Sequence, residues 1–151
     1  MKTILFATGR QDLEDALMRK LNPEGSVKMY NQVGFTGHLD NLYDLCAEKR
    51  PSIVVVHESL PGKISFFEAI RKIKADIRDT RIVVIARQHP VGDSFTSTLV
   101  IYNIYDFICK DRITPKEIVD LIKNPKTFAD VEMFVPEVKG NKFVIDVKQQ
   151  E

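Results

Sequence analysis

"PSIVVVHESLPG", Pro51 to Gly62, decides the fold. Ser52 to Val56 is β-branched, continuous and too short for a buried helix, so it reads as a strand covered on both faces. The apolar run stops at His57 and Glu58, and Leu60-Pro61-Gly62 then turns the chain. A buried strand that delivers ionisable groups to its carboxyl end suits an open α/β sheet, whose sites lie at that edge.

Outward from this strand the same pattern repeats. "KTILFA" (Lys2 to Ala7), "RIVVIA" (Arg81 to Ala86) and "IYDFIC" (Ile104 to Cys109) are further apolar strands. "SVKMYN" (Ser26 to Asn31) alternates Val27 and Met29, is more polar and suits a sheet edge. Leu13, Ala16, Leu17 and Leu21 recur at helical spacing, and a second helix is expected over 35–49 with Phe35, Leu39, Leu42 and Cys46 on one stripe. Phe66, Phe67, Ile70, Ile73 and Ile77 mark a third helix, and "DSFTSTLVIYN" (93–103) holds a weaker fourth. Thr114-Pro115-Lys116-Glu117 is a capping box with proline at the first helical position, and Ile118, Leu121 and Ile122 form the buried side of a fifth helix. Five strands each followed by a helix predict a three-layer α/β/α domain over 1–125. Its parallel sheet should run in the order 2-1-3-4-5.

Beyond this, 126–151 reads as a C-terminal β-hairpin extension or a linker to a further domain. "VEMFVPEV" and "KFVIDV" have period-two patterning, joined through Lys139, Gly140 and Asn141. Pro136 confines its strand to an edge or marks a bend.

The 151 residues suffice for one ordinary domain. Lys and Arg number 22 against 21 Asp and Glu, so nothing in the balance draws the chain to nucleic acid or to an anionic membrane. No apolar run is long enough to cross a bilayer, and the apolar part of the first residues is too short for a signal peptide. Cys46 and Cys109 fit no metal spacing and read as reduced thiols, so a cytoplasmic location is expected.

The succession of elements around "PSIVVVHESLPG", with strand ends at Ala86 and Lys110, resembles the receiver domains of two-component response regulators, of flavodoxin/CheY-like fold. In that family the third strand ends in a phosphate-accepting aspartate a few residues before Leu-Pro-Gly; His57 stands there. The family's two acidic Mg²⁺ ligands after the first strand correspond to Thr8 and Gly9, and its hydroxyl residue at the end of the fourth strand to Ala86. Its lysine at the end of the fifth strand is kept as Lys110, and Phe107 falls where receivers carry an aromatic switch residue.

The chemistry of these replacements points away from phosphorylation. Acyl phosphate formation needs a carboxylate nucleophile and a hard cation held by oxygen ligands. Thr8 and Gly9 bring no charge, and Glu58 should point away from the position of His57 because side chains alternate across a strand. The expectation is a pseudo-receiver whose vestigial pocket comprises Thr8, Gly9, His57, Glu58, Ala86 and Lys110, with no catalytic residue, metal or cofactor.

Alternatives stay open. One is atypical phosphorylation or metal binding at His57 and Glu58, the metal site joining His57 with His89 and completed by Glu58 or Asp106; another is a small-anion sensor using Lys110. "ATGRQD" (7–12) is not a dinucleotide or nucleoside-triphosphate loop, Ser59 lacks a hydrolase elbow, and Cys109 reads as inert packing.

What a receiver without phosphorylation retains is surface. The family docks partners through its fourth helix, fifth strand and fifth helix. Here Phe95, Leu99, Val100, Ile101, Tyr102, Ile104, Tyr105 and Phe107 are too many to turn inward, so an exposed interaction face is expected, with Phe95, Leu99, Tyr102, Tyr105 and Phe107 as its core. The implied function is protein–protein interaction, homodimerisation foremost. The resemblance extends to degenerate receivers that precede the ATPase of CpaE/TadZ-like pilus-assembly proteins, and "KGNKFVIDV" (139–147) is similar to the opening of such an ATPase domain. Localisation of an ATPase or a pilus-assembly complex is what that resemblance implies.

Overall fold

A computed structural model of the chain describes residues 1–90 and 93–135. Five strands, β1 (Lys2–Ala7), β2 (Tyr30–Phe35), β3 (Ile53–His57), β4 (Arg81–Ala86) and β5 (Asp106–Cys109), form one sheet in the order β2-β1-β3-β4-β5. Every pairing is parallel, as the near-continuous apolar runs require.

Alternation along each strand sorts the core into two halves. Leu5, Ala7, Val54, Val56, Val84 and Ala86 face α2 (Leu42–Lys49), α3 (Phe66–Asp76) and α4 (Ser94–Ile101). Ile4, Phe6, Ile53, Val55, Val83 and Ile85 face α1 (Gln11–Leu21) and α5 (Pro115–Lys123). The helices therefore cover both faces, and the strands' carboxyl ends converge on one edge of the domain. The capping box at Thr114 and Glu117 forms as read from the sequence.

Three boundaries differ from expectation. The second strand is Tyr30–Phe35 rather than 26–31, so Val27 and Met29 lie exposed in the connection that precedes it. Phe35 ends that strand with its ring exposed instead of opening a helix, and α2 begins only at Leu42 after a short turn at Leu39–Asn41. Backbone pairing decided this: β2 matches β1 through a register shift at Ile4/Leu5 that carries pairing on to Phe35.

Past α5 the chain does not open the expected strand at "VEMF". Phe128–Val131 is a single helical turn, α6, with its own Thr127/Asp130 capping box, and Glu132–Phe134 continue as a tighter turn. This local cap outweighs the period-two pattern. The remainder of the expected hairpin, from Pro136 onward, lies outside the described residues.

Candidate functional site

β1 and β3 pair with Ala7 beside Val56, so the residues that follow, Thr8 and His57, emerge next to each other on the α1 side of the sheet edge. Gly9 takes the left-handed conformation at φ +73°, which glycine adopts without strain, and this turns the chain from β1 into α1.

Thr8 is buried. Its hydroxyl donates to Glu14 Oε2 at 2.6 Å and accepts the Arg10 N–H at 3.1 Å. Glu14 was not anticipated from the sequence, where the apolar stripe of α1 passes through its neighbours. It lies buried with 4% exposure, and that burial raises its carboxyl above the usual range against the opposing effect of the Thr8 hydroxyl.

His57 closes β3 half-buried. Its Nδ1 accepts from the Ser59 N–H at 3.1 Å and lies 2.7 Å from the Ser59 hydroxyl. A ring nitrogen that accepts a backbone N–H cannot itself carry a proton, so the proton sits on Nε2 and the ring is neutral. Burial lowers its pKa and the Arg10 charge adds to this, while Glu58 acts in the opposite sense. Ser59 and His57 form a local turn of the chain rather than a nucleophile and base aimed at a shared cavity.

Glu58 turns to the other side, as alternation predicts. Its carboxylate accepts the Arg87 backbone N–H at 2.9 Å and lies 2.9 and 3.1 Å from His89 Nε2, linking the ends of β3 and β4. A metal site of His57 and His89 with Glu58 or Asp106 is one alternative the sequence leaves open. The structure brings His89 to Glu58 but does not gather the set: Asp106 lies at the opposite end of the sheet, bonded to Arg81, and His57 engages Ser59.

Ala86 is buried on the α4 side and offers no hydroxyl. Lys110 is exposed and pairs with Glu117 in the first turn of α5. That contact, with the Thr114 N–H, holds the Glu117 carboxyl at about 2. The donors at this edge do not fit a receiver's Mg²⁺ site. The Thr8 hydroxyl is spent on Glu14, Gly9 has no side chain, and the carboxylate of Glu58 is committed to His89 and Arg87.

The expected interaction face is corrected in part. Phe95 and Leu99 are buried: Phe95 stacks on His89 at 4.0 Å and on Phe66 at 5.9 Å, because α4 is tucked against α3. Tyr102 is half-buried against Phe67. Tyr105 and Phe107 are half-buried as well, beneath Phe128 at 6.0 Å and Phe134 at 5.4 Å respectively. The exposed apolar residues on this side are instead Ile101, Phe128, Met133 and Phe134, with 64%, 47%, 71% and 41% exposure. Three of these belong to the segment after α5, where the period-two pattern predicts a hairpin, so the sequence does not place them here.

No protein-family profile matches the chain, and no curated protein matches it. Solved structures do. The isolated receiver domain of RcsB from Salmonella enterica serovar Typhimurium, in the presence of the phosphomimetic BeF3-, is similar at a TM-score of 0.67 and 15% identity, over 89% of this chain and 98% of that one. A two-component response regulator of the LuxR family from Aurantimonas sp. SI85-9A1 is similar at 0.65 and 19% identity, over 89% and 95%. A DNA-binding response regulator of the LuxR family from Staphylococcus aureus is similar at 0.64 and 17%, over 82% and 97%. The chain thus has the fold of response-regulator receiver domains, the flavodoxin/CheY-like arrangement expected from its sequence. Among the described residues no helix is long and apolar enough to cross a membrane.

Proposed function

We propose that this chain is a receiver-like signalling domain that works without phosphorylation, as a cytoplasmic protein–protein interaction and homodimerisation module with no enzymatic activity. The observation that carries the interaction reading is the apolar surface on the α4–β5 side, where Ile101, Phe128, Met133 and Phe134 are all exposed. Such side chains gain by burial against a partner, at roughly 25 cal/mol per Å² of apolar surface removed from water. The near-neutral charge of the chain disfavours nucleic acid as that partner.

The absence of phosphorylation follows from chemistry. His57 replaces the nucleophilic carboxylate, and its Nδ1 is engaged by Ser59. A sensor for small anions is the weaker reading, since Lys110 is neutralised by Glu117 and Arg10 by Asp12. In the context of a CpaE/TadZ-like pilus-assembly protein, this module would position an ATPase.

Two measurements test the proposal. Incubation with acetyl phosphate and Mg²⁺ should leave the intact mass unchanged, whereas a phosphoryl adduct would refute the unphosphorylated mode. Sedimentation should show a reversible dimer that Met133→Asp or Ile101→Asp dissociates; a wild-type monomer at every concentration refutes dimerisation.

A further inference from the structure

A second arrangement lies apart from the apolar surface, on the connection between β4 and α4. The His89 side chain retains only 10% exposure and is sandwiched in three directions. Its Nε2 lies 2.9 Å from Glu58 Oε1, its Nδ1 lies 3.5 Å from Asp93 Oδ2, and its ring stacks on Phe95 at 4.0 Å with the planes 7° apart. Asp93 in turn caps α4 by accepting the Phe95 N–H at 2.6 Å.

Two carboxylates thus flank one imidazole, each beside a different ring nitrogen. The other charged or titratable groups facing this cluster among the described residues are few. Arg87 approaches Glu58 at 3.7 Å from the exposed side, His57 precedes Glu58 in the chain and feels its charge, and Asp111 accepts the Gln88 N–H at 3.1 Å beside His89. The Cys109 thiol in β5, pushed up to about 12 by burial and then by the charges of Glu58 and Asp93, stays protonated. From α3, Phe66 and Phe67 contribute aromatic contacts with Phe95.

We propose that His89 is a proton-operated latch that fastens the cap of α4 to the end of β3. With both nitrogens protonated, the ring donates from Nε2 to Glu58, and its charge attracts the Asp93 carboxylate 3.5 Å from Nδ1. When one proton leaves, the ring keeps a single N–H. Glu58 is the closer acceptor and retains it, and Asp93 then faces a nitrogen lone pair. The α4 cap thereby loses its tie to the sheet and is left between a carboxylate and an uncharged ring. Protons thus tighten the start of α4 and their loss loosens it; α4 also presents Ile101 to solvent at its far end, which puts the latch and the apolar surface on one element. The latch itself does not depend on the dimerisation reading.

The test follows the His89 ring proton resonances and the exchange of the Phe95 amide in the full chain as the pH is raised stepwise from acid to alkaline. After correction for intrinsic exchange, the Phe95 amide should exchange roughly fivefold faster at the high end, the factor that goes with losing one helix cap. Its midpoint should coincide with that of the His89 ring. Asp93→Asn, which keeps a cap acceptor and removes the charge, and His89→Gln should both flatten this dependence. Phe95 exchange that ignores the His89 titration, or a wild-type pH profile in either variant, overturns the proposal. Because the first readout is taken on the wild-type chain, a variant that fails to fold leaves the test intact.

Discussion

Asp106 binds Arg81 through one carboxylate oxygen and the Lys126 backbone N–H through the other, each at 2.8 Å. Arg81 also donates to the Leu121 and Ile122 carbonyls at 2.6 Å, at the C-terminal end of α5 where a cation is favoured. This one pair fastens the first residues of β4 and β5, the last turn of α5 and the start of the segment that covers Tyr105 and Phe107.

Asp106→Ala should therefore be costly. Asp106 is buried, and its removal strands a largely buried guanidinium, a situation that costs about 3 kcal/mol. Urea denaturation reads the loss; an Asp106→Ala chain as stable as wild type would show the pair to be dispensable.

Phe95 and Ile101 mark the buried and the exposed part of the expected interaction face. Phe95→Ala should lower stability by about 3 kcal/mol, as for other large-to-small changes in a core. In the monomer, at concentrations below dimer formation, Ile101→Ala should stay within about 0.5 kcal/mol, as a surface substitution does. Equal costs in thermal unfolding would contradict the packing of α4.

Gly62 is required by space. A Cβ there would lie 2.9 Å from the Leu39 Cβ and 3.3 Å from the Leu39 N, where that N–H bonds the Pro61 carbonyl. Gly62→Ala should cost about 2 kcal/mol through forced displacement of the turn, measured by chemical denaturation against wild type.

His57 gives a pH dependence of defined sign. Its folded pKa is lowered from 6.5, so the unfolded chain takes up the proton first as pH falls. The stability contributed by the neutral ring is complete above that value and is lost as pH drops through the folded pKa. His57→Gln should shallow the decline in melting temperature on the acid side, and an unchanged slope would count against burial of the neutral ring.

Glu14 works in the opposite sense. Its raised folded pKa means that stability present while the carboxyl is protonated is lost as pH climbs past the ordinary carboxylate range. Glu14→Gln keeps an acceptor for the Thr8 hydroxyl without the charge, so it should hold its melting temperature better than wild type on going from acid to neutral pH. A larger fall in the variant would show the carboxylate to be stabilised in place.

Legibility in the sequence followed the range of the interactions. "SIVVV" and "RIVVIA" are apolar on both faces, and the Thr114–Glu117 box is four residues long; both signals are local, and both formed as read. Phe35 and "VEMF" misled because a short apolar pattern does not say whether the backbone will pair or coil. Register with β1 decided the first and the Thr127 cap the second. At the candidate site, the sequence pointed to His57, Thr8 and Gly9 at the strand ends, and the structure brings Thr8 and His57 out side by side. It gave no sign of Glu14 behind Thr8 or of Ser59 engaging His57.

By itself, then, the sequence determined the five-strand order, the two covered faces and the residue types, Thr8 and His57, that follow or close the strands at the candidate site, because period, apolarity and residue type are properties of the chain. Only the tertiary structure decided that Glu58 meets His89, 31 residues away, that Arg81 meets Asp106, 25 residues away, and that Phe95 lies inside while Ile101 lies out. These contacts depend on how parallel strands are staggered and how α4 is rotated against the sheet. Both are set by the packing of the whole core and by no segment alone.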